Sequence, residues 1–303
     1  VTGAELLVRG GGKLALALRV PALVVGLTVV AFGTSSPELA VSISAALQAS
    51  PAVALANVTG SNIANIMLVL GMAALVRPLA VERTLMRREI PVLLGLSVLV
   101  PALLWDGTLG TVDGVLFILC GVGYNAWLII EAIRRRSRLG AVPEEDLEDD
   151  LGKSRGWAVD VIMLVGGMAV LIFGSEIFVQ SATTVAKSYG WSDRFVGLTI
   201  IALGTSAPEL ATAMVSAARG EVDLAIGNSI GSNILNVAMV LGITCCIAPI
   251  QLEDDGVWSD LGMGVASAML LVPIILVGGR LGRVSGGIMV ATYVAYLALT
   301  PHS

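Results

Sequence analysis

The chain has 303 residues, of which 56% are hydrophobic and only 14% are charged, and its formal net charge is −5. Soluble domains carry nearer a quarter charged residues, so this composition excludes an ordinary soluble protein. It indicates an all-α polytopic protein of the lipid bilayer.

Ten apolar stretches follow one another, and most are long enough to cross a hydrocarbon layer of roughly 30 Å. They predict transmembrane helices at 1–18, 21–47, 53–76, 88–105, 112–133, 157–187, 192–218, 223–247, 257–278 and 283–300. Several exceed the minimum length, so we expect tilted or broken helices. We also expect helix 1 to be truncated, because two residues precede Gly3 whereas seventeen residues of helix 6 precede its counterpart Gly174.

The two halves of the chain carry the same motifs. Residues 31–40 read AFGTSSPELA and residues 202–211 read ALGTSAPELA; GSNIANIMLVLG at 60–71 likewise matches GSNILNVAMVLG at 231–242. Such repeats indicate a duplicated half. Five helices per half would insert the second copy upside down, the inverted-repeat plan of secondary transporters. We therefore predict a first repeat at 1–133, a polar cytoplasmic linker at 134–156 and a second repeat at 157–303.

The basic residues predict an orientation. If the connections alternate between the two sides of the membrane, sixteen Lys and Arg residues fall on one side, and only Lys187 and Arg194 on the other. Positive charge accumulates on the cytoplasmic side. We therefore expect a protein of the plasma (inner) membrane with both termini external.

The repeated motifs place carboxylates beside helix breaks. Pro37 lacks an N–H and clashes with the carbonyl of Gly33, and Pro208 does the same in the second copy, so both helices should kink or unwind. Glu38 and Glu209 follow at once, and acidic residues inside membrane helices are costly and usually functional. One such glutamate could be a protonated structural residue; two in inverted copies favour an ion site.

The remaining polar groups of the motifs are oxygen donors. They are the carbonyls of Thr34 and Thr205 and the side chains of Ser35, Ser206, Ser61, Asn65, Ser232 and Asn236. Hard oxygens without Cys or His favour calcium, sodium or magnesium over zinc or copper, and a site rich in carbonyls suits Ca²⁺ best.

These motifs resemble the two alpha repeats of the cation/calcium exchanger superfamily, and most closely its prokaryotic sodium/calcium exchangers. The resemblance implies ten helices in two inverted repeats and Na⁺/Ca²⁺ antiport by alternating access, with helices 1 and 6 sliding over the other eight. It implies that the ions are held by Ala31, Thr34, Ser35, Glu38, Ser61 and Asn65, and by Ala202, Thr205, Ser206, Glu209, Ser232 and Asn236. Asn236 departs from the Asp that many members carry, which leaves two formal charges in the site.

Three other functions fit these residues less well. A Ca²⁺/H⁺ antiporter of the same fold stays open, because buried carboxylates can bind protons, although its GN-x-x-E motif is absent. A calcium channel fits less well with two carboxylates at one midplane site. A hydrolase would need a nucleophile–base pair or histidine ligands, and His302 is the one histidine. We expect no enzyme activity, no cofactor beside the transported Ca²⁺ and Na⁺, no nucleic-acid partner and no obligate protein partner.

Overall fold

The computed structural model describes residues 2–18, 20–48, 50–81, 83–139, 157–191, 193–252 and 256–300. These residues are mostly helical. The first half contains α1 (Thr2–Leu18), the bent pair α2a (Ala22–Thr34) and α2b (Ser36–Leu47), α3 (Pro51–Val76), α4 (Arg83–Leu103) and α5 (Thr111–Leu139). The second half contains α6 (Trp157–Ser188), the bent pair α7a (Gly197–Thr205, after a turn at Asp193–Val196) and α7b (Ala207–Arg219), α8 (Val222–Ile247), α9 (Gly256–Gly278) and α10 (Arg283–Leu299).

Each apolar stretch of the sequence is helical, with shifts at the polar ends. α4 begins at Arg83 instead of residue 88, and α5 continues past residue 133 to Leu139. A helix can extend beyond the hydrocarbon layer because its backbone hydrogen bonds are internal and its charged side chains are solvated there. Hydropathy therefore located the apolar cores and missed these ends. Most of the 134–156 segment, from residue 140 on, lies outside the described residues.

The described helices are those of an integral membrane protein. Six are long and apolar enough to cross a bilayer, and the two bent pairs raise that number to eight. Large apolar side chains such as Phe173 are exposed on the outer surface, and the exposed Trp105 lies at the end of α4, as is typical of lipid-facing helices with aromatic ends. α1 and α10 have 17 residues each, so ten crossings stay a prediction.

The central helices are α3 and α8. Their apolar spans are 78% buried, against 28% for α5 and 17% for α6. α1 packs along α6 through glycines: a Cβ placed on Gly167 would lie 2.5 Å from the carbonyl oxygen of Gly3. The small side chains allow these two backbones to touch. The two halves of the chain therefore surround a pair of buried helices, one from each half.

Four π-helical turns interrupt the helices of the repeated motifs. They span Gly26–Val30 in α2a, Asn65–Leu70 in α3, Gly197–Ile201 in α7a and Asn236–Leu241 in α8. π-helical turns are rare in proteins overall, and those that do occur are often found at functional sites. The turns of the second half recur at the positions equivalent to those of the first, so both copies fold in the same way.

Two small antiparallel sheets tie the halves together. β1 (Leu79–Ala80) pairs with β4 (Arg280–Leu281), with Leu79 opposite Leu281. β2 (Thr108–Leu109) pairs with β3 (Ile250–Gln251), with Leu109 opposite Ile250. Each sheet takes one strand from each half. The α3–α4 and α9–α10 connections therefore lie together, as do the α4–α5 and α8–α9 connections.

Candidate ion-binding site

The repeated GTS-x-PE motifs form bends, as their prolines predict. α2a and α2b meet at Ser35 with an angle of 41°, and α7a and α7b meet at Ser206 with an angle of 48°. Both serines have φ −81° and ψ 4°. The prolines stand in the first turn of the following helix, where no N–H is required. The carbonyls of Ala31 and Ala202 still accept the N–H of these serines, so the helices bend without unwinding.

Each bend lies against a central helix of the other half. α2a packs on α8 and α7a packs on α3. The glycines of the GSN motifs permit this contact: a Cβ on Gly60 would lie 2.6 Å from the carbonyl oxygen of Leu198, and one on Gly231 would lie 2.7 Å from that of Leu27. The two halves therefore interlock at the bends, and each motif is surrounded in part by residues of the other half.

The two glutamates are bonded by serines of the opposite half. Ser35 Oγ donates to Glu209 Oε1 at 3.3 Å, and Ser206 Oγ donates to Glu38 Oε1 at 3.1 Å. Both glutamate side chains are fully buried. These crossed bonds place the two carboxylates between the halves. The second oxygen of each carboxylate, Oε2, has no hydrogen-bond partner.

The threonines of the bends contact the GSN serines. Ser61 Oγ lies 3.3 Å from Thr205 Oγ1 and 3.5 Å from the carbonyl oxygen of Ala202. On the other side, Ser232 Oγ lies 3.4 Å from Thr34 Oγ1, which is 3.4 Å from the carbonyl oxygen of Ala31. All these residues are buried. The structure thus brings the motif residues of one half against those of the other.

Two buried asparagines were missed in the sequence. Asn57 Oδ1 accepts from Thr205 Oγ1 at 3.2 Å, and Asn228 Oδ1 accepts from Thr34 Oγ1 at 2.9 Å. Asn57 Nδ2 also donates to Ser42 Oγ at 3.0 Å. The signal was available: Asn57 and Asn228 occupy equivalent positions in the two repeats, each four residues before the serine of its GSN motif and therefore on the same helix face. These asparagines hold the threonines of the bends in place.

Asn65 and Asn236 lie where the π-turns of α3 and α8 begin. Both are fully buried. Asn236 Nδ2 donates to Asn62 Oδ1 at 3.1 Å, whereas Oδ1 of Asn236 and both polar atoms of Asn65 lack a partner. Among the ligands predicted from the sequence, four buried acceptor oxygens therefore lack a hydrogen-bond partner: Oε2 of Glu38 and Glu209, and Oδ1 of Asn65 and Asn236.

Unsatisfied buried acceptors are destabilising by about 1–3 kcal/mol each, and such groups in a native protein call for a ligand, a water or an ion. Carboxylate and amide oxygens are the donors that Ca²⁺ and Na⁺ accept. In the part of the chain that the structure describes, no group of three or more His, Cys, Asp or Glu side chains could hold a metal. A cation here would be held by two carboxylates and by neutral oxygens.

The protein has membrane-spanning helices, two of which are bent at the centre of the molecule. A set of hard oxygens is buried between its two interlocked halves. These features define a membrane transporter of cations. Comparison with known proteins supplies the family. The chain belongs to the sodium/calcium exchanger protein family, whose model matches residues 1–130 and 159–300. The resemblance of the repeated motifs is thereby confirmed, and the chain is a cation/Ca²⁺ antiporter.

Three relatives cover the chain almost completely. It is 36% identical to the putative antiporter CaxA of Alkalimonas amylolytica, covering 98% of this chain and 93% of that protein. It is 36% identical to the inner membrane protein YrbG of Escherichia coli, with 99% and 92% covered. Identity to the sodium/calcium exchanger MaX1 of Methanosarcina acetivorans is 30%, with 99% and 94% covered.

A solved structure has the same fold. The sodium-calcium exchanger NCX_Mj, soaked with 10 mM Na⁺ and 10 mM Sr²⁺, superposes with a TM-score of 0.81 at 28% sequence identity, covering 99% of this chain and 94% of that chain. Two of these relatives are named as an antiporter and an exchanger, and the solved structure is that of an exchanger.

Proposed function

We propose that this protein exchanges Na⁺ for Ca²⁺ across the membrane by alternating access. The observation that carries the proposal is the set of four unpaired, fully buried oxygens of Glu38, Glu209, Asn65 and Asn236. Two carboxylates balance one Ca²⁺ or two Na⁺, so either load leaves the site neutral. Neutrality matters in a membrane, where an uncompensated charge is strongly disfavoured.

Each half contributes six residues to the ion site. In the first half the ligands are the carbonyls of Ala31 and Thr34 with the side chains of Ser35, Glu38, Ser61 and Asn65; in the second half they are the carbonyls of Ala202 and Thr205 with the side chains of Ser206, Glu209, Ser232 and Asn236. The support is that serines, threonines and glutamates of opposite halves already meet at 3.1–3.4 Å. A site shared between halves can be opened by moving one segment against the rest.

The moving segment is the α1–α6 pair. Its members touch through glycine backbones: a Cβ on Gly10 would lie 2.6 Å from the backbone nitrogen of Leu164. Such contact makes the pair one body. By contrast, α3 and α8, which carry the ligands Ser61 and Asn65 and Ser232 and Asn236, are the most buried spans and form the fixed core.

The ten helices cross the membrane in two inverted repeats with both termini external and the 134–156 linker cytoplasmic, in a plasma (inner) membrane. The strand pairs support this arrangement. β1–β4 joins two connections separated by six helices, and β2–β3 joins two separated by four; even numbers place both members of a pair on one side. The basic residues assign the β1–β4 side to the cytoplasm.

Cysteine labelling tests the orientation. In a background without Cys120, Cys245 and Cys246, a membrane-impermeant thiol reagent applied to intact cells should label Gln251→Cys in β3 and leave Arg280→Cys in β4 unlabelled. Both side chains are exposed, so accessibility differs only through the membrane. If the reagent labelled only Arg280→Cys, the orientation would be the opposite of the one proposed.

Transport in reconstituted vesicles tests the exchange. Vesicles loaded with Na⁺, K⁺ or choline are diluted into Na⁺-free medium with radioactive Ca²⁺, and only the Na⁺-loaded vesicles should accumulate it. The alternative Ca²⁺/H⁺ antiporter uses the same two carboxylates as proton sites. It predicts uptake driven by an acid interior in any of the three salts and abolished by a protonophore. A double Glu38→Gln, Glu209→Gln variant is the inactive control for both.

A further inference from the structure

The asparagines at the centre of the molecule bond differently in the two halves although their motifs read alike. Asn62 and Asn233 precede the π-turns of α3 and α8, and each donates to the backbone of the other. Asn62 Nδ2 lies 3.4 Å from the carbonyl oxygen of Asn233, and Asn233 Nδ2 lies 3.1 Å from that of Asn62. These reciprocal bonds join the two central helices where they cross.

The acceptor ends of the two side chains have different roles. Asn62 Oδ1 accepts from Asn236 Nδ2 at 3.1 Å. The equivalent bond, from Asn65 to Asn233, is not formed: Asn233 Oδ1 and both polar atoms of Asn65 have no hydrogen-bond partner. Only one of the two ligand amides, that of Asn236, is therefore held by a hydrogen bond.

This difference fixes one amide oxygen. The oxygen and nitrogen of an asparagine amide are attached to the same planar carbon, so a bond that anchors Nδ2 also determines the direction of Oδ1. In Asn236 the anchored nitrogen leaves Oδ1 buried and unpaired. In Asn65 no hydrogen bond from the described residues sets the rotation of the amide.

We infer that Asn62 is a positioning residue that presents the Oδ1 of Asn236 to the transported cation, while Asn65 is an adjustable ligand that turns to suit the ion. The inference rests on the proposed function and adds an asymmetry that the repeated motifs do not show. A preorganised oxygen strengthens binding because it need not be ordered when the ion arrives. Asn62 therefore acts on ion affinity through Asn236, without touching the ion.

Asn233 provides a matched control. Asn62→Ala and Asn233→Ala each remove one bond to the backbone of the opposite helix, so a purely structural role predicts equal effects. Only Asn62→Ala also releases Asn236. We expect Asn62→Ala to raise the KM for Ca²⁺ in Na⁺-loaded vesicles about fivefold, the loss that corresponds to one hydrogen bond of about 1 kcal/mol. Asn233→Ala should leave the KM within about twofold of the unmodified value, a change well under 1 kcal/mol.

A double-mutant cycle supplies a readout that a structural role would not move. Once Asn236 is alanine, Asn62→Ala should raise the KM for Ca²⁺ no further, because the amide it positions is gone. In the other half, the effects of Asn233→Ala and Asn65→Ala should add. Equal KM values for Asn62→Ala and Asn233→Ala, or an undiminished effect of Asn62→Ala beside Asn236→Ala, would overturn the inference.

Two further controls keep the outcome decisive. Should Asn62→Ala not be recovered folded, Asn62→Ser replaces it, since the shorter side chain also fails to reach Asn236. Absence of Na⁺-driven uptake by the unmodified protein would refute the proposed function itself. Uptake by the unmodified protein, with the two alanine variants indistinguishable, would refute the positioning role alone.

Discussion

Gly60 is the position where a single added methyl group should separate the two halves of the proposed ion site. A Cβ at this residue would lie 2.6 Å from the carbonyl oxygen of Leu198 and 2.8 Å from the Cβ of Ala202. Since carbon–oxygen contacts are normally about 3.3 Å or longer, α7a must move by roughly 0.7 Å in Gly60→Ala. That movement displaces Ala202 and, through the bend, the Glu209 that follows it.

The energetic consequence is larger for transport than for folding. Overpacking a tight contact is destabilising by about 1–3 kcal/mol, while alanine gains roughly 0.5–1 kcal/mol over glycine within a helix. The net destabilisation is then about 0–2.5 kcal/mol, which should leave the protein folded. Misplacement of ligands by about 1 Å can lower a rate by a hundredfold, so we expect Ca²⁺ uptake to fall at least about tenfold.

The assay is Na⁺-driven uptake of Ca²⁺ in reconstituted vesicles, with monodispersity in detergent as the test of folding. Gly95→Ala in α4 is the matched control, because no atom from another described helix lies within 4 Å of its added Cβ, and it should transport normally. Gly231→Ala should resemble Gly60→Ala, because its Cβ would lie 2.7 Å from the carbonyl oxygen of Leu27. Normal transport by Gly60→Ala would show that this contact yields without disturbing the site.

Three other predictions concern charge. Glu38→Gln and Glu209→Gln should each abolish Ca²⁺ uptake without unfolding the protein, since an amide oxygen still accepts the serine hydroxyl but the charge that Ca²⁺ needs is gone; near-normal flux would remove that glutamate from the site. Exchange should persist when choline replaces K⁺ outside the vesicles, because two carboxylates are already neutralised by Ca²⁺, and Asn236→Asp is the change expected to alter ion selectivity; a strict K⁺ requirement in the unmodified protein would contradict the charge count. Burial raises the pKa of Glu221, in the connection between α7b and α8, from 4.5 to about 7 although Arg219 lowers it, so folding stability is lost as pH rises from about 4.5 through about 7. Glu221→Gln should therefore raise the melting temperature at pH 8 and change it little near pH 5, and an equal shift at both pH values would argue against this assignment.

Much of this architecture is determined by the sequence alone. The apolar stretches locate the helices because each must satisfy its backbone hydrogen bonds internally and match the thickness of the bilayer. Pro37 and Pro208 locate the two bends, because a proline lacks the backbone N–H and its ring clashes with the carbonyl four residues earlier. The duplicated motifs identify Glu38 and Glu209 as a pair. All three inferences depend on local chemistry or on comparing the chain with itself.

Only the tertiary structure decided how the halves meet. Ser35 could bond Glu38 of its own motif or Glu209 of the other motif. The sequence cannot distinguish these two pairings, because the two motifs are nearly identical. The packing of α2a on α8 and of α7a on α3 makes that choice. It also brings Asn57 and Asn228 to the threonines of the bends. The difference between Asn62 and Asn233 arises where the same helices cross. A hydrogen bond forms or fails with small changes in helix position, and two nearly identical repeat sequences do not specify such changes.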